Sequence, residues 1–394
     1  MSKIKKTVIT LADGRELIYF DDSVEYVNGD KKRCEADERP LENRYTAFYD
    51  DNGKVKEDNL PQMRYDILMG EWIPMATHRM NRTFLPPRDA NPLGPKKIGA
   101  KYSDGEIPDT DYDVVVFENR FPSLLEIPEA GNSLKALDDN ELFLSKPASG
   151  RCEVVCFGPN IDQSLVEMGP KRMRTVIEAW ADRTKELMKL DTIQQVFCFE
   201  NHGEAIGVTL QHPHGQIYAY PYATPRMKTM LYNVKTYFEK TGKNLFDNLI
   251  ESYKKSQPEL IIHETDKWIL YVPFAAKWPL EMHLMPKRHV NRIDQLDEEE
   301  KEELSKMYLQ MIKTANKFFE YENGTYLEVP YISAWNQAPK DSTEIRLFCD
   351  FFSFQRSIDK LKYLAGSESG MQAWISDTTP EKIAKRLKEV FVND

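Results

Sequence analysis

The sequence lacks the features that mark secreted, membrane-spanning or nucleic-acid-binding chains. Only 5 cysteines (Cys34, Cys152, Cys156, Cys198 and Cys349) occur in 394 residues. So sparse and odd a set fits reduced thiols and excludes a disulfide framework. The opening stretch, MSKIKKTVITLADGRELIYF, has no apolar core of signal-peptide length. No apolar run approaches the roughly 20 residues of a membrane-spanning helix. A basic excess is missing too: 53 Lys and Arg face 63 Asp and Glu, giving a net charge of -10. Nucleic-acid readers need a basic footprint, so general nucleic-acid binding is excluded, whereas a small anion held by a few local Arg and Lys is not. The expectation is a soluble cytoplasmic protein with neither nucleic acid nor membrane as partner. Its 41% hydrophobic content supports a large core, and its length suggests two or three domains.

Residues 1–60 alternate short β-like pieces with polar turns and read as an N-terminal extension packed on the main body. From about 85 to 110, Pro, Gly, Lys and Asp predict loop. A strand, strand, helix, strand, strand pattern then occurs twice. The first copy has strands at Val114–Phe117 and Cys152–Phe157. Its helix carries Met173, Val176, Ile177, Trp180 and Leu187 on one face, before strands Val196–Phe199 and His212–Tyr220. The second copy has strands Trp268–Val272 and Glu281–Met285. Its helix opens at Asp297, with Glu300 completing a capping box and Leu304, Met307, Tyr308, Met311, Ile312, Ala315 and Phe319 on its apolar face. Strands Tyr331–Trp335 and Ile345–Phe352 follow. The acidic run Asp297–Glu303 reads as a solvated first turn. A last helix starts at Thr379 and Pro380. The expected organisation is an extension (1–60), a first half (61–230), and a second half with a C-terminal segment (231–394).

The densest polar signal is Gln211-His212-Pro213-His214-Gly215-Gln216-Ile217-Tyr218, which holds two of only 7 histidines. In a strand, His212, His214 and Gln216 share a face, and Gly215 leaves the backbone open to close approach by a ligand. Such a row suits a metal ligand set, a general base, or an imidazole nucleophile. Neutral imidazole attacks phosphorus without first losing a proton.

The segment HPHGQIY resembles the active-site motif of the histidine-triad superfamily, in the form used by galactose-1-phosphate uridylyltransferases. The resemblance runs from about Tyr65 to the C-terminus and includes the duplicated half. It implies an α+β fold whose two histidine-triad-like halves form one extended, mostly antiparallel sheet with helices on one side. It also implies a homodimer. Thr77-His78-Arg79-Met80-Asn81-Arg82 resembles the family's phosphate segment and implicates Arg79 and Arg82. Phe117 and Asn119 match positions that pack on uridine, and Asn201, Gly207 and Thr209 match contacts to phosphate or ribose. Lys362, Tyr363 and Glu368 match the segment that contacts the hexose phosphate. By resemblance His214 is the nucleophile, with Gln216 and His212 beside it. UMP then passes between UDP-glucose (or UDP-galactose) and a hexose 1-phosphate through a uridylyl-histidine. Gln216 stands where the superfamily's hydrolases carry a third histidine; glutamine donates a hydrogen bond but shuttles no proton at neutral pH. Two other readings stand beside this one: a nucleotide phosphorylase of the same superfamily, and a non-catalytic nucleotide-binding protein.

The chain departs from the family at its metals. The zinc-binding Cys-x-x-Cys pair falls on Asn91-Pro92-Leu93-Gly94, and a further zinc histidine falls on Ile161, leaving only His212. The iron histidines fall on Asn336, Phe348 and Asp350, and the iron glutamate near Met230. Cys152 and Cys156 read as buried thiols. The expectation is a member with no metal cofactor. Ser367 replaces a tyrosine common in the family, and Trp374 lies near a position often held by glutamine, so the acceptor hexose phosphate stays open.

Overall fold

The computed structural model describes residues 4–56, 59–76, 87, 90–127 and 133–393. A hairpin of β1 (Lys5–Thr10) and β2 (Glu16–Asp21) precedes the short helix α1 (Val24–Asn28). Strands β3 (Gln62–Asp66) and β4 (Glu71–Met75) follow. Next come β5 (Val114–Glu118), β6 (Lys135–Ala136), β7 (Leu144–Pro147) and β8 (Arg151–Cys156). Helix α2 (Leu165–Leu187) leads to β9 (Gln195–His202) and β10 (His214–Tyr220). Helices α3 (Pro225–Thr241) and α4 (Leu245–Ser256) connect to β11 (Ile261–Glu264), β12 (Trp268–Tyr271) and β13 (Leu280–Pro286). Then come α5 (Glu298–Ala315), β14 (Tyr331–Asn336) and β15 (Phe348–Ser353). A ribbon of β16 (Gln355–Ser357) and β17 (Lys360–Leu361) precedes α6 (Gly366–Met371) and α7 (Pro380–Glu389).

Among the described residues, eleven strands form one antiparallel sheet in the order β1-β2-β5-β8-β10-β9-β14-β15-β13-β12-β11. The duplication is visible in that order. Strands β5-β8-β10-β9 of the first half are mirrored by β12-β13-β15-β14 of the second, and α2 and α5 hold matching places in the chain. The halves meet where Phe199 on β9 pairs with Ala334 on β14. Gln216 is the other neighbour of Phe199, and Asp350 is the other neighbour of Ala334. The two are therefore counterparts across the join.

Alternation along β10 decides which side chains are buried. Gly215, Ile217 and Ala219 are buried, while His214, Gln216, Tyr218 and Tyr220 on the other face are half-buried. The buried face meets α2 and α5, which pack on each other. Trp180 lies at the centre, with ring centroids 6.4 Å from Phe157, 5.8 Å from Tyr308 and 6.1 Å from Trp335. The predicted stripe on α2 is buried throughout. Helix α5 carries the predicted capping box, with Asp297 accepting from the Glu300 N–H at 2.8 Å. Glu300 is not solvated as the acidic run suggested: it is 1% exposed and holds Arg288 at 2.6 Å.

Two further departures bear on the site. The N-terminal extension is part of the sheet, because β2 pairs with β5 and Arg15 joins Asp13 and Glu106 in buried ion pairs. Helices α3 and α4 were not expected; α3 buries only Met227 and Val234. They cover the second half of the sheet on the face opposite α5, where Tyr253 meets Tyr271 at 4.6 Å and Phe246 meets Phe348 at 6.0 Å. The same face of the first half keeps its cavity. No described helix is long and apolar enough to cross a membrane.

Trp180→Ala removes the ring that couples α2, α5 and the sheet. Loss of a fully buried indole costs about 3–5 kcal/mol, and denaturant unfolding should show a loss of that size.

Candidate active site

The geometry around His214 starts with its neighbour His212. Strand β10 begins at His214, so His212 is not in the row of side chains expected from simple alternation. It is 1% exposed. Its Nδ1 lies 2.9 Å from the Asn91 amide nitrogen, and its Nε2 lies 2.7 Å from the Gly158 carbonyl and 2.7 Å from the Tyr112 hydroxyl. Tyr112 donates its own proton to the Leu93 carbonyl at 2.8 Å. These partners assign one tautomer: Nδ1 accepts from Asn91, and Nε2–H donates to Gly158 and Tyr112. Burial lowers the His212 pKa to about 4, so the ring is neutral near pH 7.

His212 in turn fixes His214. The His214 Nδ1 lies 2.6 Å from the His212 carbonyl oxygen, which has only accepting capacity. Nδ1 therefore carries the proton, and Nε2 of the neutral ring carries the lone pair. The segment is pinned once more where the Phe157 N–H donates to the Pro213 carbonyl at 3.1 Å.

A cavity of about 440 Å³ opens beside His214, lined by Phe117, Asn119, Asn201, Gly207, Thr209 and Gln216 among others. Six residues matched separately along the sequence thus converge with His214 on one site. Asn119 is held in place by accepting the Phe121 N–H at 2.9 Å. Gly207 takes φ +80°, a left-handed conformation that favours glycine. A second cavity of about 580 Å³ shares His214 and Asn201 and includes His212, His202 and Glu328.

Other expectations fare differently. Gly215 faces the helix side, where a Cβ would stand 3.0 Å from the Phe199 carbonyl and 3.1 Å from the Phe157 ring. Its lack of a side chain serves packing, not ligand approach. Arg79 and Arg82 lie outside the described residues, as does the rest of Thr77–Arg82. Lys362, Tyr363 and Glu368 line neither cavity. Lys362 is engaged with Asp377 at 2.9 Å and the Ile375 carbonyl at 2.6 Å, and Tyr363 is 79% exposed. The residues that sequence reasoning passed over are Asn91, Tyr112 and Gly158. Only Asn91 left a signal, standing where the family has a cysteine.

Comparison with known proteins agrees with the motif. Family models described as the N-terminal and C-terminal domains of galactose-1-phosphate uridyl transferase match residues 52–224 and 231–363. A galactose-1-phosphate uridylyltransferase of Streptomyces lividans is 38% identical over 98% of both chains. One from Thermotoga maritima is 31% identical over 84% of this chain and 99% of its own. A solved uridylyltransferase structure superposes with a TM-score of 0.70 at 29% identity, covering 84% of this chain and 98% of that one. An ADP-glucose phosphorylase from Arabidopsis thaliana, TM-score 0.62 at 22% identity, shares the fold over 84% of this chain and 99% of its own.

The residues present do not fit the metals of such a family. Both ring nitrogens of His212 are engaged by protein groups, and Asn91 bonds the imidazole directly in place of a thiolate ligand. At the iron positions, Asn336 donates to the Ala334 carbonyl at 3.1 Å, and Phe348 is apolar.

Acid should weaken the fold through His212. Between pH about 4 and the ordinary value of 6.5 the unfolded chain binds a proton that the folded chain excludes. Stability is then complete above the ordinary value and falls with pH by up to ~1.4 kcal/mol per unit for this one proton. Urea unfolding of His212→Asn across that window should show a slope shallower by one proton, and an unchanged slope contradicts the assignment. Asn91→Ala leaves Nδ1 unsatisfied and should cost about 1–3 kcal/mol.

Proposed function

The chain belongs to the galactose-1-phosphate uridylyltransferase family and is a uridylyltransferase acting on UDP-glucose and a hexose 1-phosphate, and we propose that His214 carries the UMP covalently between the two. The observation that supports this is the 2.6 Å bond from His214 Nδ1 to the His212 carbonyl, on a histidine that lines the cavity. It places the lone pair on Nε2 without a base having to remove a proton.

In the first step Nε2 attacks the α-phosphorus of UDP-glucose, and the bond to the bridging oxygen breaks. Glucose 1-phosphate leaves with that electron pair. The ring becomes cationic, and the Nδ1–H bond to a carbonyl dipole strengthens as charge develops. In the second step a phosphate oxygen of galactose 1-phosphate attacks the same phosphorus, expels Nε2 and gives UDP-galactose. No net proton moves in either step.

The other cavity residues take roles that suit this chemistry. Phe117 and Asn119 would hold the uridine, while Asn201, Gly207, Thr209 and the Gln216 amide would contact ribose and phosphoryl oxygens, where most of phosphoryl-transfer catalysis lies. Arg79 and Arg82 are assigned to phosphate by motif alone. Gln216 in place of histidine denies a proton to a leaving group and so protects the intermediate from water.

We further propose a cytoplasmic homodimer with no metal at His212. The dimer would account for Lys362, Tyr363 and Glu368, which lie away from His214 within one chain. A second copy would bring them to the hexose phosphate.

Intact-protein mass spectrometry after mixing with UDP-glucose and quenching in alkali tests the covalent step. Wild type should gain one uridylyl group, and His214→Ala should gain none. A gain retained in the variant overturns the assignment, and a gain with an ADP-sugar instead would favour a phosphorylase. Gln216→His should release free UMP from UDP-glucose faster than wild type.

A further inference from the structure

Away from His214, Glu281, His283 and Asp350 stand on one face of the second half of the sheet. Glu281 and His283 are two apart on β13, and His283 pairs directly with Asp350 on β15. The protein fixes one oxygen of each carboxylate. Asp350 Oδ2 accepts from Arg226 at 2.7 Å. Glu281 Oε2 accepts the backbone N–H groups of Lys277 at 2.5 Å and Trp278 at 3.0 Å. The remaining oxygens face His283 Nε2, with Glu281 Oε1 at 3.8 Å and Asp350 Oδ1 at 3.6 Å. Those separations are too long for hydrogen bonds.

The three facing atoms lie within 4.8 Å of one another. Among the described residues, His283 Nε2 and Asp350 Oδ1 are buried with no hydrogen-bond partner, and Asp350 is only 2% exposed. Buried polar atoms are ordinarily paired, and leaving them unpaired is costly. A cation between the three groups would remove that penalty.

The geometry points to a divalent-cation site in which Glu281 Oε1, His283 Nε2 and Asp350 Oδ1 bind a first-row transition ion, with water completing the shell. One imidazole and two carboxylates form a nitrogen and oxygen set suited to Zn²⁺ and its neighbours rather than to thiophilic ions. Bonds of about 2.0–2.1 Å put tetrahedral ligand atoms about 3.4 Å apart. The separations of 3.6 and 3.8 Å from His283 therefore close with shifts of a few tenths of an ångström, and the two carboxylate oxygens, within 4.8 Å of each other, close by at most about 1.4 Å as their side chains turn. The supporting contacts are present as well. The Tyr271 hydroxyl lies 3.3 Å from His283 Nδ1, placed to accept its proton when Nε2 gives its lone pair to an ion.

This ligand set is not the family's iron set, with which it shares only Asp350, and it confines the expectation of a metal-free chain to the His212 side. Its place follows from the duplication. Asp350 is the counterpart of Gln216, and His283 is the counterpart of Val154. Gln216, Phe199, Ala334 and Asp350 follow one another across the sheet, so three strand spacings put Asp350 about 14 Å from Gln216 and the ion, between β15 and β13, farther still. The ion takes no part at the reacting phosphorus; it ties β13 to β15, and through Arg226 to α3.

Full-length protein stripped with chelator is titrated with Zn²⁺ alone against a fluorescent competitor, and bound metal is counted by elemental mass spectrometry. Wild type should bind one equivalent per chain. Affinity should fall about 100-fold in His283→Gln and about 10-fold in Tyr271→Phe. Zinc should raise the thermal midpoint only in chains that bind it. Failure of wild type to bind at micromolar zinc overturns the site, as does equal affinity in His283→Gln. Should that variant not fold, X-ray absorption of zinc-loaded wild type decides. One imidazole with oxygen donors supports the site, and sulfur or several imidazoles contradict it.

Discussion

The chemistry of the chain depends on one hydrogen bond, from His214 Nδ1 to the backbone carbonyl of His212. An imidazole free to exchange tautomers would present its lone pair on the reacting side only part of the time. A carbonyl only accepts, so this bond selects one tautomer at every pH where the ring is neutral. The carbonyl must itself stay in place, and the surroundings of His212 see to that. Its side chain is anchored on three sides by Asn91, Tyr112 and Gly158. Those three come from the loop before β5 and the turn after β8, so segments far earlier in the chain position the nucleophile through its neighbour. The buried pairs of Arg15 with Asp13 and Glu106 hold that loop against the sheet. A closed set of neutral hydrogen bonds holds this region around His212.

The two halves show what one framework does with different side chains. Both have four strands in mirrored order and a helix on the same face. In the first half the opposite face is left open and carries His214 and Gln216. In the second, α3 and α4 close over it, Phe348 and Asp350 take the corresponding places on β15, and Phe348 packs on Phe246. An open face binds a nucleotide; a covered face carries buried polar groups that need partners.

Much of this was legible in the sequence because it rests on local periodicity. The stripes on α2 and α5, the capping box at Asp297 and Glu300, and the doubled strand and helix pattern are each written in residues close together. The convergence of Phe117, Asn119, Asn201, Gly207, Thr209 and Gln216 was legible only through family resemblance, since nothing local joins positions so far apart. What escaped depends on three-dimensional neighbours. The turn at Pro213 takes His212 out of the strand and into the protein, and period-two alternation cannot foresee that. Gly215 looked like room for a ligand, and only the Phe157 ring shows what it makes room for. The cluster at His283 left no local signal because its partners lie two residues away on its own strand and 67 positions on in the chain. Lys362, Tyr363 and Glu368 matched a motif, yet a single chain does not carry them to the cavity.

The central claim is that His214 rests as the Nδ1–H tautomer, and ¹⁵N NMR of histidine-labelled protein tests it most directly, with His214→Ala used to assign the signals. The account predicts a protonated Nδ1 and an unprotonated Nε2 for His214 at neutral pH, with Nε2 shifting on reaction with UDP-glucose. A proton resident on Nε2, or an even mixture of the two tautomers, would contradict it.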